Sequence, residues 1–240
     1  MKTYACAVKA LAFAVVLFPV SPAFAEQPRG FYMGVGAGNA EADVSTGDMN
    51  TLFRQAFAAQ GASFTPRTAS VETKDSSVYI FAGYRIFPYL SAEGGFIDLG
   101  GFDYTSSGTL SSPGFGVRQI STRMEVESKG LTASALGNVP IGDYFEIHGR
   151  LGFFIVNTDA DATGGSAGQP VNVSESGTSF SVQLGLGAAV NFGNHFSLSA
   201  DWVHFFAVDN GGLAVDEEEA DLDYDGYDVD VLRLSAIVRF

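Results

Sequence analysis

"FEIHGRLGFFIV" (residues 145–156) alternates almost without a break. Phe145, Ile147, Leu151, Phe153 and Ile155 occupy one set of alternate positions, and Glu146, His148 and Arg150 occupy the other. A period of two sends successive side chains to opposite faces of an extended chain, so this stretch predicts a strand with one apolar and one charged face. Further along, "SFSVQLGLGAAVNF" (179–192) repeats the pattern, its apolar set running from Phe180 through Leu184 and Leu186 to Phe192. The last segment sets Leu232, Leu234, Ala236, Val238 and Phe240 against Arg233, Ser235, Ile237 and Arg239.

Eight such segments can be placed, near 30–40, 76–87, 89–105, 122–138, 144–160, 177–192, 196–209 and 228–240. The fourth, "STRMEVESKGLTASALGNV", alternates poorly and suggests a bulge. The connections alternate in length. "FPY" (87–89), "VPIGD" (139–143) and "GNH" (193–195) are short, whereas 41–75, 106–121, 161–176 and 210–227 are long and polar. Short turns at one end and long loops at the other are the habit of an outer-membrane barrel, and an even strand count leaves both termini at the periplasmic end. A soluble eight-stranded barrel also alternates, but it shows its charges to water. The non-apolar face here is mostly Gly, Ser and Ala with few charges, too few to solvate an exterior and well suited to a narrow lumen. Arg150 on the lipid side at mid-depth would cost roughly 2–4 kcal/mol. The expected fold is therefore all-β, an eight-stranded antiparallel up-and-down transmembrane β-barrel with short periplasmic turns and long extracellular loops.

Residues 1–25 read as a secretory signal peptide. Lys2 and Lys9 flank a basic region, "ALAFAVVLFPV" (10–20) is an apolar core too short to span a bilayer, and Ala23-x-Ala25 offers a cleavage site between Ala25 and Glu26. The single cysteine, Cys6, lies inside that leader, so the mature chain, 26–240, is expected to be one barrel domain without disulfides. The formal charge of −14 becomes two units more negative when both lysines leave, and such a chain repels nucleic-acid phosphates. No later apolar run reaches the roughly 18 residues of a membrane helix.

With these segments placed, the chain resembles the transmembrane domain of the OmpA-type outer-membrane proteins, a family of small outer-membrane barrels. "GFYMGVGAG" (30–38) resembles the aromatic-rich first strand, and "AGYRIFPYLSAEGGFIDLG" (82–100) and "VPIGDYFEIHGRLGFF" (139–154) resemble hairpins with proline at the turn. "FSLSADWVHFF" (196–206) takes the place of the seventh strand. The resemblance covers nearly all of 30–240 and implies Glu93, Arg150 and Asp201 inside the barrel. Arg233 and Arg239 on the last segment, and Glu146 beside Arg150, follow from the alternation itself. Together these six predict a polar plug that either seals the lumen or leaves a narrow gated path, each charge offsetting its neighbour's desolvation. Two departures matter: the sequence stops at Phe240 on the last strand without the family's peptidoglycan-binding domain, and the first loop is longer than the family's. A terminal strand ending in Phe240 resembles the signal read by the barrel-assembly machinery, while the plainer reading makes Phe240 an interfacial aromatic.

Other features offer chemistry. In "DLDYDGYDVD" (221–230), Asp221, Asp223, Asp225 and Gly226 have the carboxylate spacing of a calcium loop. Leu232 stands where the closing bidentate acid should fall and no helices flank it, so a solvated acidic loop is the plainer expectation. A divalent cation there would bridge the loop to lipopolysaccharide phosphates. "HFS" (195–197) resembles a lipid A deacylase spacing but falls at a periplasmic turn, and no acid–base–nucleophile set converges, so neither an enzyme nor a cofactor is expected. "NTLFRQAFAAQ" (50–60) predicts either a short amphipathic helix at the interface or over the barrel mouth, or an irregular loop. Alternate glycines (Gly34, Gly36, Gly38, Gly185, Gly187) make room for bulkier lumen partners. The functional expectation is a monomeric barrel that supports the membrane and presents loops to an extracellular ligand. The alternatives are a narrow channel for ions or small solutes and, behind it, a lipid A-modifying enzyme. Its expected partners are outer-membrane lipid, lipopolysaccharide and the assembly machinery, with no nucleic acid.

Overall fold

The computed structural model describes residues 29–59, 61–113, 116–166, 169–208 and 226–240. The leader with its Ala25–Glu26 junction lies outside the described residues, as do Asp221, Asp223 and Asp225. The chain runs β1 (Gly30–Ala42), α1 (Thr46–Ala59), β2 (Ser63–Glu72), β3 (Lys74–Phe87), β4 (Leu90–Ser112), β5 (Gly116–Ile141), β6 (Phe145–Ser166), β7 (Gln169–Phe192), β8 (Phe196–Val208) and β9 (Tyr227–Arg239).

Neighbouring strands pair antiparallel, and β9 pairs back onto β1, with Tyr32 opposite Arg239 and Ala42 opposite Val229. The ring β1-β3-β4-β5-β6-β7-β8-β9 is thus closed, leaving no edge in the hydrocarbon. β2 is the element the alternation did not predict. Only Thr73 separates it from β3, and both pair with β4, so β2 carries the same stave outward past the end of β1. Gly142 and Gly193, at φ 65° and 69°, open the two periplasmic turns that follow β5 and β7.

The long polar loops expected at 106–121 and 161–176 are mostly strand: β4 and β5 run to the tip of one hairpin, β6 and β7 to the tip of another. The expected bulge lies in β4, where the register with β5 shifts between Asp98 and Gly101, and not in the fourth segment. Gly100 there has φ 67°, and a Cβ would meet the Asp75 carboxylate at 2.6 Å.

β5 reads poorly for a different reason: its apolar face changes sides. From Leu131 to Ile141 the outward residues are apolar, whereas from Ile120 to Ser128 the apolar residues Ile120, Met124 and Val126 are buried and Glu125 and Glu127 face out. β6 does the same, with Phe153 and Ile155 outside and Phe154, Val156 and Ala160 inside. In β9, Val229 and Val231 point inward and Leu232 and Leu234 outward. The switch comes where the environment changes. Below it the ring meets hydrocarbon and hides its charges; above it the ring meets water and hides its apolar side chains.

Above the switch, among the described residues, β2, β4, β5, β6 and β7 continue, forming a five-stranded wall on one side of the mouth. Residues 169–180 of β7 alone add roughly 35 Å along the strand. α1 climbs this wall. Ser45 caps it, its Oγ accepting the Asp48 amide at 3.2 Å, and Gly61 at φ 70° follows its end. Phe53 stacks on Tyr104 with centroids 5.1 Å apart, Phe57 meets Phe64 at 5.3 Å, and the Tyr104 hydroxyl donates to Asn50 Oδ1 at 2.7 Å. Tyr104 and Phe64 are buried on the inner face, so the helix folds over the mouth and not along the membrane surface.

Leu186, half-exposed at the centre of the apolar band of β7, tests which flank meets lipid. Leu186→Arg is expected to cost roughly 2–4 kcal/mol in urea unfolding from bilayers. Ser176→Arg, on the same strand above the switch, is expected to stay within about 0.5 kcal/mol.

Candidate functional site

Inward positions of five strands converge on a charged layer in the periplasmic half of the lumen. β4 supplies Glu93, β6 supplies Glu146, His148 and Arg150, β8 supplies Asp201, and β9 supplies Arg233 and Arg239. Glu93 accepts from Arg150 Nη1, from the Tyr79 hydroxyl at 3.0 Å and from the Tyr32 hydroxyl at 3.3 Å. The Arg233 guanidinium lies 4.1 Å from the Tyr79 ring centroid, and its Nε stands 3.9 Å from Asp201 Oδ2. Asp201 also holds His148, Nε2 to Oδ1 at 2.7 Å, and accepts from Ser199 Oγ at 2.9 Å. An ionised carboxylate only accepts, so His148 Nε2 carries a hydrogen there.

Nearer the periplasm, Arg85 on β3 brackets Glu146 with both Nη atoms at 2.8 Å. Arg239 Nη1 donates to Asn191 Oδ1 at 2.7 Å, so its nearest hydrogen-bond partner is an amide and not a carboxylate. The layer includes partners beyond the six charges named from the sequence. Arg85 lies in "YRIF" at an inward position of β3 and was legible from alternation; the tyrosines that bridge the charges were not, because only the register brings Tyr32 and Tyr79 to one carboxylate.

These ions are buried, Arg150 and Glu93 being 4% and 6% exposed. Taking them out of water is expensive, and the layer persists because Arg85, Glu93, Glu146, Arg150, Asp201 and Arg233 meet opposite charges, while Arg239 is held by the Asn191 amide. Space is made by Gly187: a Cβ there would lie 2.4 Å from His148 Nε2 and 2.7 Å from Asp201 Oδ1. A cavity of 30 Å³ remains among Arg85, Glu93, Glu146, His148 and Arg150, enough for a water or two.

The plug is not polar throughout. Outside the charged layer the lumen holds Ile97, Phe154, Val203, Phe205 and Val231, all at 0% exposure, joined by Phe102, Val126 and Tyr227. Phe154 meets Phe205 edge-on at 5.1 Å, and Phe102 meets Tyr227 at 5.2 Å. The alternation suggested only ionic and small residues inside, because the apolar set was assigned to lipid along each whole strand.

The hydrolase-like features stay apart. His195 sits in the turn between β7 and β8, and Ser197 Oγ donates to Asn191 Oδ1 at 2.8 Å. His204 lies near the outer rim with Asp230 Oδ1 at 3.0 Å and Asp228 Oδ2 at 3.5 Å. In the lumen the Asp201 carboxylate stands between Ser199 and His148, so the imidazole does not touch the hydroxyl it would have to deprotonate. Among the described residues no cluster of three or more His, Cys, Asp or Glu side chains could hold a metal ion.

A closed ring with an apolar belt, enclosed ions and a water-facing wall defines a transmembrane β-barrel of the bacterial outer membrane. The chain belongs to the outer membrane protein beta-barrel domain family, whose match spans residues 10–240. No curated protein matches it. Among solved structures, it is similar to Neisserial surface protein A at 14% identity and a TM-score of 0.43, over 88% of this chain and 97% of that one. It is also similar to Ail, the attachment invasion locus protein of Yersinia pestis (13% identity, TM-score 0.41, 89% and 100% covered). A third is the outer membrane protein OprG of Pseudomonas aeruginosa (10% identity, TM-score 0.33, 89% and 96% covered).

Replacing Arg150 by Met strands Glu93 in the lumen and is expected to cost roughly 3–5 kcal/mol. The double variant Glu93→Gln/Arg150→Met should recover most of that loss, a coupling measured by urea unfolding followed as heat-modifiable gel migration. Gly187→Ala should cost about 1–3 kcal/mol by forcing His148 and Asp201 apart.

Proposed function

We propose that this protein is a closed membrane anchor whose task is to hold the extracellular wall and its helix above the outer leaflet. The observation that carries this reading is the filled lumen: a charged layer with room for a water or two, covered by apolar side chains at 0% exposure. A conducting path needs continuous water, and the two stacked layers of opposite character among the described residues argue against one. The six charges Glu93, Glu146, Arg150, Asp201, Arg233 and Arg239, with Arg85 and His148, serve as a structural seal, tying five strands across the barrel axis.

The outward girdle (Phe31, Phe87, Tyr144, Phe145, Phe192 and Phe196) is exposed at the periplasmic rim, where aromatic rings seat a barrel in lipid. Phe240 is 71% exposed at the end of the last strand, which supports its reading as the assembly signal. The barrel works as a monomer without a cofactor and without catalysis. Its outer-leaflet neighbours are lipopolysaccharide, and its ligands are met by the wall.

Planar-bilayer recording tests the seal. The wild-type barrel is expected to give no single-channel steps, and Arg150→Ala none either, because the apolar layer remains. Arg150→Ala combined with Phe154→Ala and Phe205→Ala is expected to conduct. Reproducible steps from the wild type, altered by Arg150→Ala alone, would replace this reading with that of a narrow channel.

A further inference from the structure

The wall is an open sheet, and its two edges are built differently. On one side stands β2, whose edge carries Pro66, Arg67 and a register shift between Pro66 and Thr68, with α1 packed beside it. Proline, charge and bulges are the devices that stop an edge strand from recruiting another chain. On the other side stands the outer half of β7. β8 pairs with β7 only over 182–192, so 172–180 bonds β6 on one side and no described strand on the other. This edge, "NVSESGTSF", carries one charge, Glu175, and has no proline, lysine, arginine or register shift against β6. Up to Thr178 it lies above the apolar belt, facing water, and Phe180 joins the belt opposite Ile155.

The face beside that edge has a definite charge. Ser174, Ser176 and Thr178 stand opposite Asp161, Asp159 and Asn157 of β6, and Glu125 and Glu127 follow on β5. Together Glu125, Glu127, Asp159, Asp161 and Ser174 line a cleft of 420 Å³. Lys129 offsets Asp159 at 3.2 Å and Arg123 lies 3.6 Å from Glu125, which leaves the cleft acidic. A strand laid against β7 would set its alternate side chains one strand spacing from the short Ser174 and Ser176, and two spacings, roughly 10 Å, from Asp159 and Asp161. A lysine or arginine reaches across the serines to those carboxylates; a short or acidic side chain does not.

We propose that the edge of β7 over 172–180 docks an extended segment of another protein with lysine or arginine at alternate positions, added as a sixth strand to the wall. Main-chain hydrogen bonds supply the attachment, and the acidic cleft supplies the preference. A second copy of this chain is disfavoured, because pairing two β7 edges would set two acidic faces side by side in a molecule of formal charge −14. The inference rests on the anchoring reading, but the two fail separately: conductance would undo the anchor, and the peptide experiment undoes only this edge.

The test uses the full-length barrel in lipid nanodiscs and a short, fluorescently labelled peptide of alternating lysine and threonine. Binding is expected by anisotropy, weakening with added salt, together with slowed amide hydrogen exchange confined to 172–180. A peptide N-methylated on alternate backbone nitrogens should lose binding, and so should the alternating glutamate–threonine peptide. Asp159→Asn/Asp161→Asn, confirmed as folded by heat-modifiable migration, should bind about fivefold more weakly. Equal binding of the N-methylated or acidic peptide would overturn the proposal. So would full protection of 172–180 without peptide, which would mean that the chain covers its own edge, or a crosslinked dimer through β7.

Discussion

Hydrocarbon offers a backbone amide no partner, and every other feature of this protein follows from how the chain meets that constraint. The only solution open to strands is a ring whose last member bonds its first, and here β9 lies against β1 over eleven residue pairs. Closure draws eight sets of inward side chains onto one axis. Those side chains must then fill a space too narrow for a solvated channel, at a depth where each unpaired charge would be costly.

The lumen meets this demand in two ways at two heights. In the periplasmic half, ions reach between non-adjacent strands, Arg85 with Glu146 from β3 to β6 and Arg150 with Glu93 from β6 to β4, while Arg233 faces Asp201 on the neighbouring strand β8. Tyr32 and Tyr79 both donate to Glu93, and Tyr79 lends its aromatic face to Arg233. In the outer half no ions are needed. Phe154 and Phe205 already fill the axis where Phe153, Ile155 and Phe206 still face lipid, and higher up, where the strands meet water, Phe102 and Val126 continue the apolar packing. The ring is therefore a membrane barrel below and the start of a water-soluble sheet above. Its axis is closed by salt bridges in one half and by apolar packing in the other.

That change of solvent also shapes the surface seen from outside. Among the described residues, five strands continue beyond the rim as the wall, an open sheet with two edges. One edge is guarded by proline, a bulge and a helix; the other, over 172–180, pairs with no described strand and lies beside an acidic face. The asymmetry gives the two edges of the wall different chemistry, and the closed ring beneath gives the wall its base.

Alternation in "FEIHGRLGFFIV" and "SFSVQLGLGAAVNF" made the strands and the lipid-facing flank legible, because a period of two is a local property and the cost of charge in hydrocarbon decides its sign. The same alternation put Glu146, Arg150 and Arg233 on inward positions, and the resemblance to the OmpA-type barrels added Glu93 and Asp201. It did not reveal which acid meets which base, since strand register and barrel stagger set those distances. It misread 106–121 and 161–176 as loops, because Ser106, Ser107, Gly108, Gly164 and Gly165 look like loop residues where no apolar face is turned to lipid. The sequence alone therefore determined a closed barrel with a charged interior. Only the tertiary structure decided where water replaces lipid along each strand, and with it the apolar stopper, the mouth helix and the unguarded edge.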